Sequence, residues 1–504
     1  MPTESLPDNP DIEQLKRHAK TLRDFVRAGL DGSLDLVHEH HPRFSGLTAG
    51  SPEATGFKLA DAQLTLARHH GFASWPKLRR HVALIHELTR SPHTQPVGGD
   101  TTADGDRADE FLRLACLNYG ADDPARWRAA EMLLAAHPEL ARASIHTAAA
   151  AGDVDAASTL LAADPGSAGR EGGPFRWAPL LYLAYSRLDA DRPGADPVAV
   201  ARLLLDHGAD PDAGYLWDGL PSPFTALTGV FGGGEQGAPP HPRELELARL
   251  LLEAGADAND SQTIYNRGLG GTARDDTEVL ALLLDFGLGR GGGGPWHRRL
   301  GPALQSPDEL VAEALQHAAE SGLVARARLL LERGADPDAP GTHPVYRGRR
   351  PYEGAVLHGN LEIARLLAAA GAGTDAVDPL TVFVGTCLAG DRAAVERTLA
   401  DDPGLLARAA AERGDLVALA AELGRPDAVR LLVDLGFDVN ARHRATALHE
   451  AAFRGNLDLV ELLLDLGADP TIVDRSFDAT PRGWAEHNGQ THVVTYLDQR
   501  VAQE

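Results

Sequence analysis

The sequence predicts an all-α fold, a solenoid of about ten stacked helix–turn–helix units preceded by a small helical domain. Three observations predict it. First, apolar runs of the Leu-Leu type end in glycine at Gly208, Gly255, Gly287, Gly334, Gly371, Gly436 and Gly467, at intervals of 47, 32, 47, 37, 65 and 31 residues. Intervals of 31 and 32 are single units, 37 is a slightly long one, and 65 is two with a degenerate member between. Each 47 is one unit plus an insertion of about 14 residues. Second, Thr446–Pro470 reads as one complete unit. Third, 43% of residues are hydrophobic and only 5% aromatic, as Ala/Leu helices require. A chain of 504 residues exceeds one compact domain, and a solenoid relaxes that limit because each repeat buries its core only against its neighbours.

In chain order, residues 9–88 do not follow the repeat. Asn9-Pro10-Asp11 reads as a helix start with proline at the first turn. The helix that follows carries Leu15, Ala19, Leu22, Phe25 and Val26 on one face. Asp31–His40 is a second helix and Lys58–His70 a third, ended by Gly71. Ser74 caps a fourth, with Trp75, Leu78, Val82, Ile85 and Leu88 apolar. These form a helical N-terminal module, residues 1–90. Residues 91–107, polar and rich in Pro, Gly and Thr, read as a flexible linker. The repeat array then fills 108–504. Its looser copies are 145–161, 178–212, a degenerate unit near Thr381 and a last unit, 480–498, whose polar second helix suits a cap.

Within Thr446–Pro470 the first helix is narrow because Ala447, Ala451 and Ala452 line it. The second presents Leu459, Val460, Leu462, Leu463 and Leu464 as an apolar stripe. Gly467 follows it, where a left-handed cap is cheap only for glycine. The Thr-x-Leu-His start, the Gly-Asn turn and the Gly-Ala-Asp-Pro end resemble the ankyrin repeat, whose period is about 33 residues. In that family the Thr–His pair hydrogen-bonds within the turn, which implies a structural role for His449. The N-terminal string Ala60-Asp-Ala-Gln63 … Gly71-Phe-Ala-Ser-Trp-Pro76 resembles a segment that precedes bacterial ankyrin arrays and has no assigned activity. The resemblance implies a non-catalytic protein-binding module or scaffold.

Charge and composition narrow the function. The formal net charge is −24. Residues 1–90 hold 12 Lys and Arg against 11 Asp and Glu, so the acidity lies in the remainder. An acidic array disfavours nucleic acid, which needs basic neutralisation of phosphates, and either favours a basic protein partner or serves only to keep the solenoid soluble; an extended peptide segment is the partner expected from the insertion-lined groove. No apolar run reaches 18 residues, so no membrane association is expected. The N-terminus lacks an apolar signal core, and the only cysteines, Cys116 and Cys387, read as buried reduced thiols. A cytoplasmic location is the expectation. His38, His40 and His41 lack metal-ligand spacing, since i and i+2 diverge on a helix. No metal, cofactor or catalytic residue is predicted. Gly232–Gly234 and Gly291–Gly294 lack the context of a phosphate loop.

Specificity is expected where the period breaks. Insertions lie near 213–243, 288–307 and 342–350. Around the first, Phe175, Trp177, Tyr182, Tyr185, Tyr215, Trp217, Phe224 and Phe231 place eight aromatics in 57 residues. Aromatic and Arg side chains dominate binding hot spots. The predicted partner-binding residues are therefore Tyr215, Trp217, Phe224, Phe231 and Glu235 of the first insertion, with Tyr265, Asn266 and Arg267 in the next unit. Trp296, His297 and Arg299 join them from the second insertion and Tyr346 from the third. The opposing reading is that these aromatics pin down glycine-rich loops. Two other functions stay open: an enzyme or small-ligand binder using a pocket lined by the insertions, with His241 and Arg298 also in reach, and an acidic inhibitor or immunity-like protein that masks a basic partner.

Overall fold

A computed structural model describes residues 6–96, 104–120, 122–268, 275–375 and 377–501. It is an all-α repeat fold that divides into two compact units, Met1–Ala273 with Glu278–Leu310, and Arg274–Thr277 with Val311–Glu504. Among the described residues no helix is long and apolar enough to cross a membrane.

The first unit opens with the helices Ile12–Ala28, Asp31–His40, Leu59–His69 and Trp75–Leu88. Asp11, not Asn9, caps the first by accepting from the Glu13 amide at 2.7 Å. Ala19, Val26, Val37, Phe57 and Ala62 fill the core of this module. Among the described residues five helix pairs follow, beginning at Asp104–Ala115, Ile145–Ala151, Pro179–Tyr185, Ala226–Phe231 and Ser261–Gly268. Of the expected linker, 91–96 are ordered, 97–103 lie outside the described residues, and 104–107 belong to a helix. Among the described residues the second unit holds six pairs, whose first helices are Pro307–Ser321 (in this unit from Val311), Pro351–Leu357, Pro379–Leu388, Leu416–Glu422, Ala447–Phe453 and Pro481–His487.

One local pattern recurs in the most regular pairs. The first helix is short and buried, and alanine lines it in Ile145–Ala151 and Ala447–Phe453. The second buries one stripe; Leu459, Val460 and Leu463 are each 1% exposed or less, and burying such a side chain stabilises by about 1.5–3 kcal/mol. All seven glycines of the repeat register have positive φ, from 87° at Gly208 to 104° at Gly255. His449 locks the turn: its Nδ1 lies 2.8 Å from Thr446 Oγ1, and its Nε2 lies 3.0 Å from the Ala479 carbonyl of the next pair. The Thr225–Thr228 and Ser144–Thr147 boxes do the same without histidine.

Candidate protein-binding surface

The loops between successive pairs, here called fingers, carry what the repeat itself does not. In the first unit the insertion at 213–243 forms a hairpin, Gly214–Trp217 against Pro223–Thr225, with Tyr215 opposite Phe224. The end of the N-terminal module, Thr89–Arg90, adds to it as a parallel third strand beside Leu216 and Trp217. Side chains tighten the join. Arg90 is 8% exposed; it donates to Glu171 at 2.6 Å and to the Glu87 carbonyl at 2.6 Å. Ser91 donates to Asp218 at 2.7 Å, and the His93 ring stacks on Trp217 at 4.4 Å.

The predicted site residues are mostly spent on this internal join. Tyr215, Phe224 and Phe231 are buried, and Trp177 stacks on Tyr215 at 5.0 Å. Trp217 is half-buried and donates to the Asn118 carbonyl at 2.9 Å. Trp296 is buried and donates to the Asp212 carbonyl at 3.0 Å. Its ring packs so closely on Gly214 that an added Cβ there would lie 2.9 Å from it. Arg299 lies over the Trp296 ring at 5.0 Å and 3.8 Å from Asp210. His297 is half-buried beside them. Asn266 is buried and donates to the Gly232 carbonyl at 3.2 Å. Tyr265 donates to exposed Glu235 at 3.0 Å, and Arg267 pairs with Glu244 at 3.9 Å. Tyr346 belongs to the second unit and is buried. Tyr215, Phe224, Phe231, Asn266, Trp296 and Tyr346 therefore present no surface to a partner. The aromatics fill a core because a two-stranded hairpin is marginally stable alone and needs further strands or a packed face. Trp217, Tyr265 and Trp296 each meet a different neighbour within the chain.

Three reactive groups of the first unit, Cys116, His241 and Asp260, are likewise buried. Burial pushes the Cys116 thiol up to about 12 and holds the His241 imidazole down at about 3. Asp260 is fully enclosed; it accepts from the Thr225 and Thr228 hydroxyls and from the Thr263 amide at 2.9 Å. Burial raises its carboxyl to about 6. A cavity of about 340 Å³ at the join is lined by Glu87, Arg90, Trp177, Tyr215 and Arg299. His40 lies 3.1 Å from His69, and no cluster of three metal-ligating side chains exists among the described residues.

The second unit keeps its fingers open. A groove of about 790 Å³ runs along three of them, near 345–349, 411–415 and 441–443. The first is the insertion at 342–350. Glu313, on the helix Pro307–Ser321, accepts from the Thr342 and His343 amides at 2.8 and 3.1 Å. Buried Tyr346 fills the space beneath, against Gly341. This holds Val345 outward, 56% exposed, and leaves Arg347 in the left-handed region at φ 53°. The second finger contains the extra helix Gly404–Glu412 and ends in Arg413-Gly-Asp415. The third carries exposed Arg442 and His443. Of this face the sequence marks the insertion 342–350, with Tyr346 as its predicted site residue; Tyr346 lies buried beneath the groove and Arg347 on its wall. Arg413, Arg442 and His443 lie outside the predicted insertions, and the signal for them is the recurrence of arginine at successive finger tips.

The ankyrin-repeat family profile, in three copies, matches residues 386–474. The chain is also similar to human cyclin-dependent kinase inhibitor 2A, 34% identical over 142 residues that cover 26% of this chain and 82% of that protein. The chain belongs to the ankyrin-repeat family. Its matched segment includes the second and third fingers of the open groove.

Proposed function

We propose that this protein is a non-catalytic binding module or scaffold whose partner is another protein, seated on the fingers of the second unit. The observation that carries the reading is the groove of about 790 Å³ at 345–349, 411–415 and 441–443, which lies open in a region of the family's repeats. The human relative, by its name, inhibits a cyclin-dependent kinase, so protein partners are within the habits of this repeat. Residues 1–90 act as a clamp on the first unit's fingers. Burial of His241, Cys116 and Cys387, with both thiols pushed up to about 12, argues against acid–base or nucleophilic chemistry at those groups. Two unpaired, buried cysteines support a cytoplasmic location.

Site-specific photo-crosslinking tests the reading. A benzophenone amino acid at position 443 should trap a protein from the native cellular extract, and one at exposed Asp458 on an outer helix should not. Equal trapping at both positions, or trapping at neither, sinks it.

A further inference from the structure

The net charge of the chain points to a basic partner, and the open groove points the other way. Residues 311–504 hold 29 Asp and Glu against 19 Arg and no Lys, a balance of −10. The groove inverts that sign. Its walls carry Arg347, Arg349, Arg413, Arg442 and His443 against Glu412 and Asp415. Two of these arginines are neutralised within the chain. Arg349 forks onto Glu320 at 3.0 and 3.2 Å, and Arg413 onto Asp415 at 2.9 and 3.2 Å. The other two are not. Arg347 is exposed, and no hydrogen bond or ion pair ties its guanidinium to the described residues. Arg442 is exposed, makes no ion pair among the described residues, and spends one donor on the Val473 carbonyl at 2.8 Å. Exposed His443 adds a third donor next to Arg442. Arg475, also exposed, follows on the next finger, its amide bonded to the Arg444 carbonyl at 2.9 Å.

Guanidinium groups recognise carboxylates through two parallel N–H donors, which a lysine cannot match. Beside the unspent arginines the groove is also lined by apolar Val345, Leu357, Ala411 and Ala441. A ligand that satisfies both needs carboxylates flanking an aliphatic side chain. A nucleic acid does not meet that description. Its affinity comes from neutralising a run of phosphates, and here Glu412 and Asp415 interrupt the basic wall inside a segment of net charge −10.

We propose that the groove formed by the 342–350, 404–415 and 438–446 fingers binds an acidic peptide segment of a partner protein, with Arg347 and Arg442 taking its carboxylates and Val345 packing on an aliphatic side chain between them. This rests on the protein-binding reading above and specifies the partner's chemistry.

The test is a selection of random dodecapeptides displayed on phage against the immobilised full-length chain, repeated on the Arg347→Glu/Arg442→Glu double variant. Peptides selected on the parent should be rich in Asp and Glu around a Leu, Ile or Val. Their affinity, read by fluorescence anisotropy, should fall at least about tenfold for each lost carboxylate contact. Selection on the double variant should turn up Lys- and Arg-rich peptides instead. The single variant Arg347→Glu, at a side chain that holds nothing else, serves as a control for folding, because its melting transition should match the parent's. Neutral or basic peptides that bind the parent and are lost on the variant overturn the acidic ligand and leave the protein-binding reading standing. Peptides that bind both proteins equally, or no peptide on either, overturn both. A single-stranded oligonucleotide that displaces the selected peptides at lower concentration assigns the groove to phosphate polymers instead.

Discussion

The finger at 214–225 and the finger at 342–350 interrupt the same kind of repeat and meet opposite fates. The first carries Tyr215, Trp217 and Phe224, pairs with the strand Thr89–Arg90, and becomes the middle of a small sheet. The second is held from below by Glu313 and keeps Val345 and Arg347 in solvent. The second helices before them end alike, in the left-handed glycines Gly208 and Gly334, although a capping box opens Ala226–Phe231 after the first finger and none opens Pro351–Leu357 after the second. What differs is whether an edge is paired. A hairpin edge is a template for strand addition, and in the first unit the protein's own N-terminal module takes that place. Short 3-10 turns offer no edge, so the second unit's fingers present side chains instead. An aromatic-rich insertion in a repeat array therefore marks an internal join as readily as a partner's site.

The largest effect should come from breaking the internal join. Trp296→Ala removes a buried ring and its hydrogen bond to the Asp212 carbonyl, and deleting a buried Trp costs about 3–5 kcal/mol. Hydrogen exchange should show the first unit opening, with the amides of Leu459–Leu463 in the second unit unchanged. Lost partner capture with unaltered exchange would show that Trp296 does bind the partner, and the contrast between the fingers would fall.

A pH effect of the next size is expected at Asp260. Its folded carboxyl titrates at about 6, above the ordinary value of 3.8, chiefly because burial disfavours the anion. The folded state thus holds this proton more tightly than the unfolded chain. Its stabilising contribution is full below about pH 4 and is lost as pH rises through about 6. Asp260→Asn keeps an acceptor for Thr225 and carries no charge. The variant should be more stable than the parent at pH 7 by up to a few kcal/mol, and the gain should vanish near pH 4. Taking the difference between the two proteins cancels the opposite, acid-sensitive contribution of His241, whose imidazole is held down at about 3. A gain independent of pH would count against the buried anion.

Much of the fold was legible in the sequence because it depends on local chemistry. The glycine spacing, the Leu459–Val460–Leu463 stripe and the Asp31–His40 helix need only their own neighbours, and the structure places them as read. The site was less legible because its determinants are distant in sequence. Nothing near Trp217 announces that His93 will stack on it, or near Tyr215 that Trp177 will cover it. Burial of an aromatic depends on which segment arrives, and period and composition do not carry that. Arg413 and Arg442 go unmarked in the sequence for the converse reason. Each looks like an ordinary solvated charge in its own repeat, and only stacking the repeats brings them to one groove.

A milder change should loosen the N-terminal module without melting the array. Trp217 is half-buried, and its loss removes the His93 stack and the bond to the Asn118 carbonyl. Aromatic pairs contribute about 0.5–1.5 kcal/mol beyond their buried area, so Trp217→Ala should cost about 1–2 kcal/mol locally. Proteolysis should then cut within 91–96 at protease concentrations that leave the parent intact. Resistance equal to the parent's would mean that the Arg90–Glu171 pair and the strand alone hold the module.

The smallest effect compares the helices rather than the fingers. Gly208 in the first unit and Gly467 in the second have φ of 87° and 90°, and a Cβ added at either meets nothing within 4 Å. An alanine at either position pays only the backbone term, about 1 kcal/mol. If the units differ in their fingers alone, Gly208→Ala and Gly467→Ala should cost the same to within about 0.5 kcal/mol, read from exchange of the neighbouring second-helix amides. A clearly larger cost at Gly208 would mean that the N-terminal module also stiffens the helices of its unit, and the difference between the two units would then extend below the fingers into the repeats themselves.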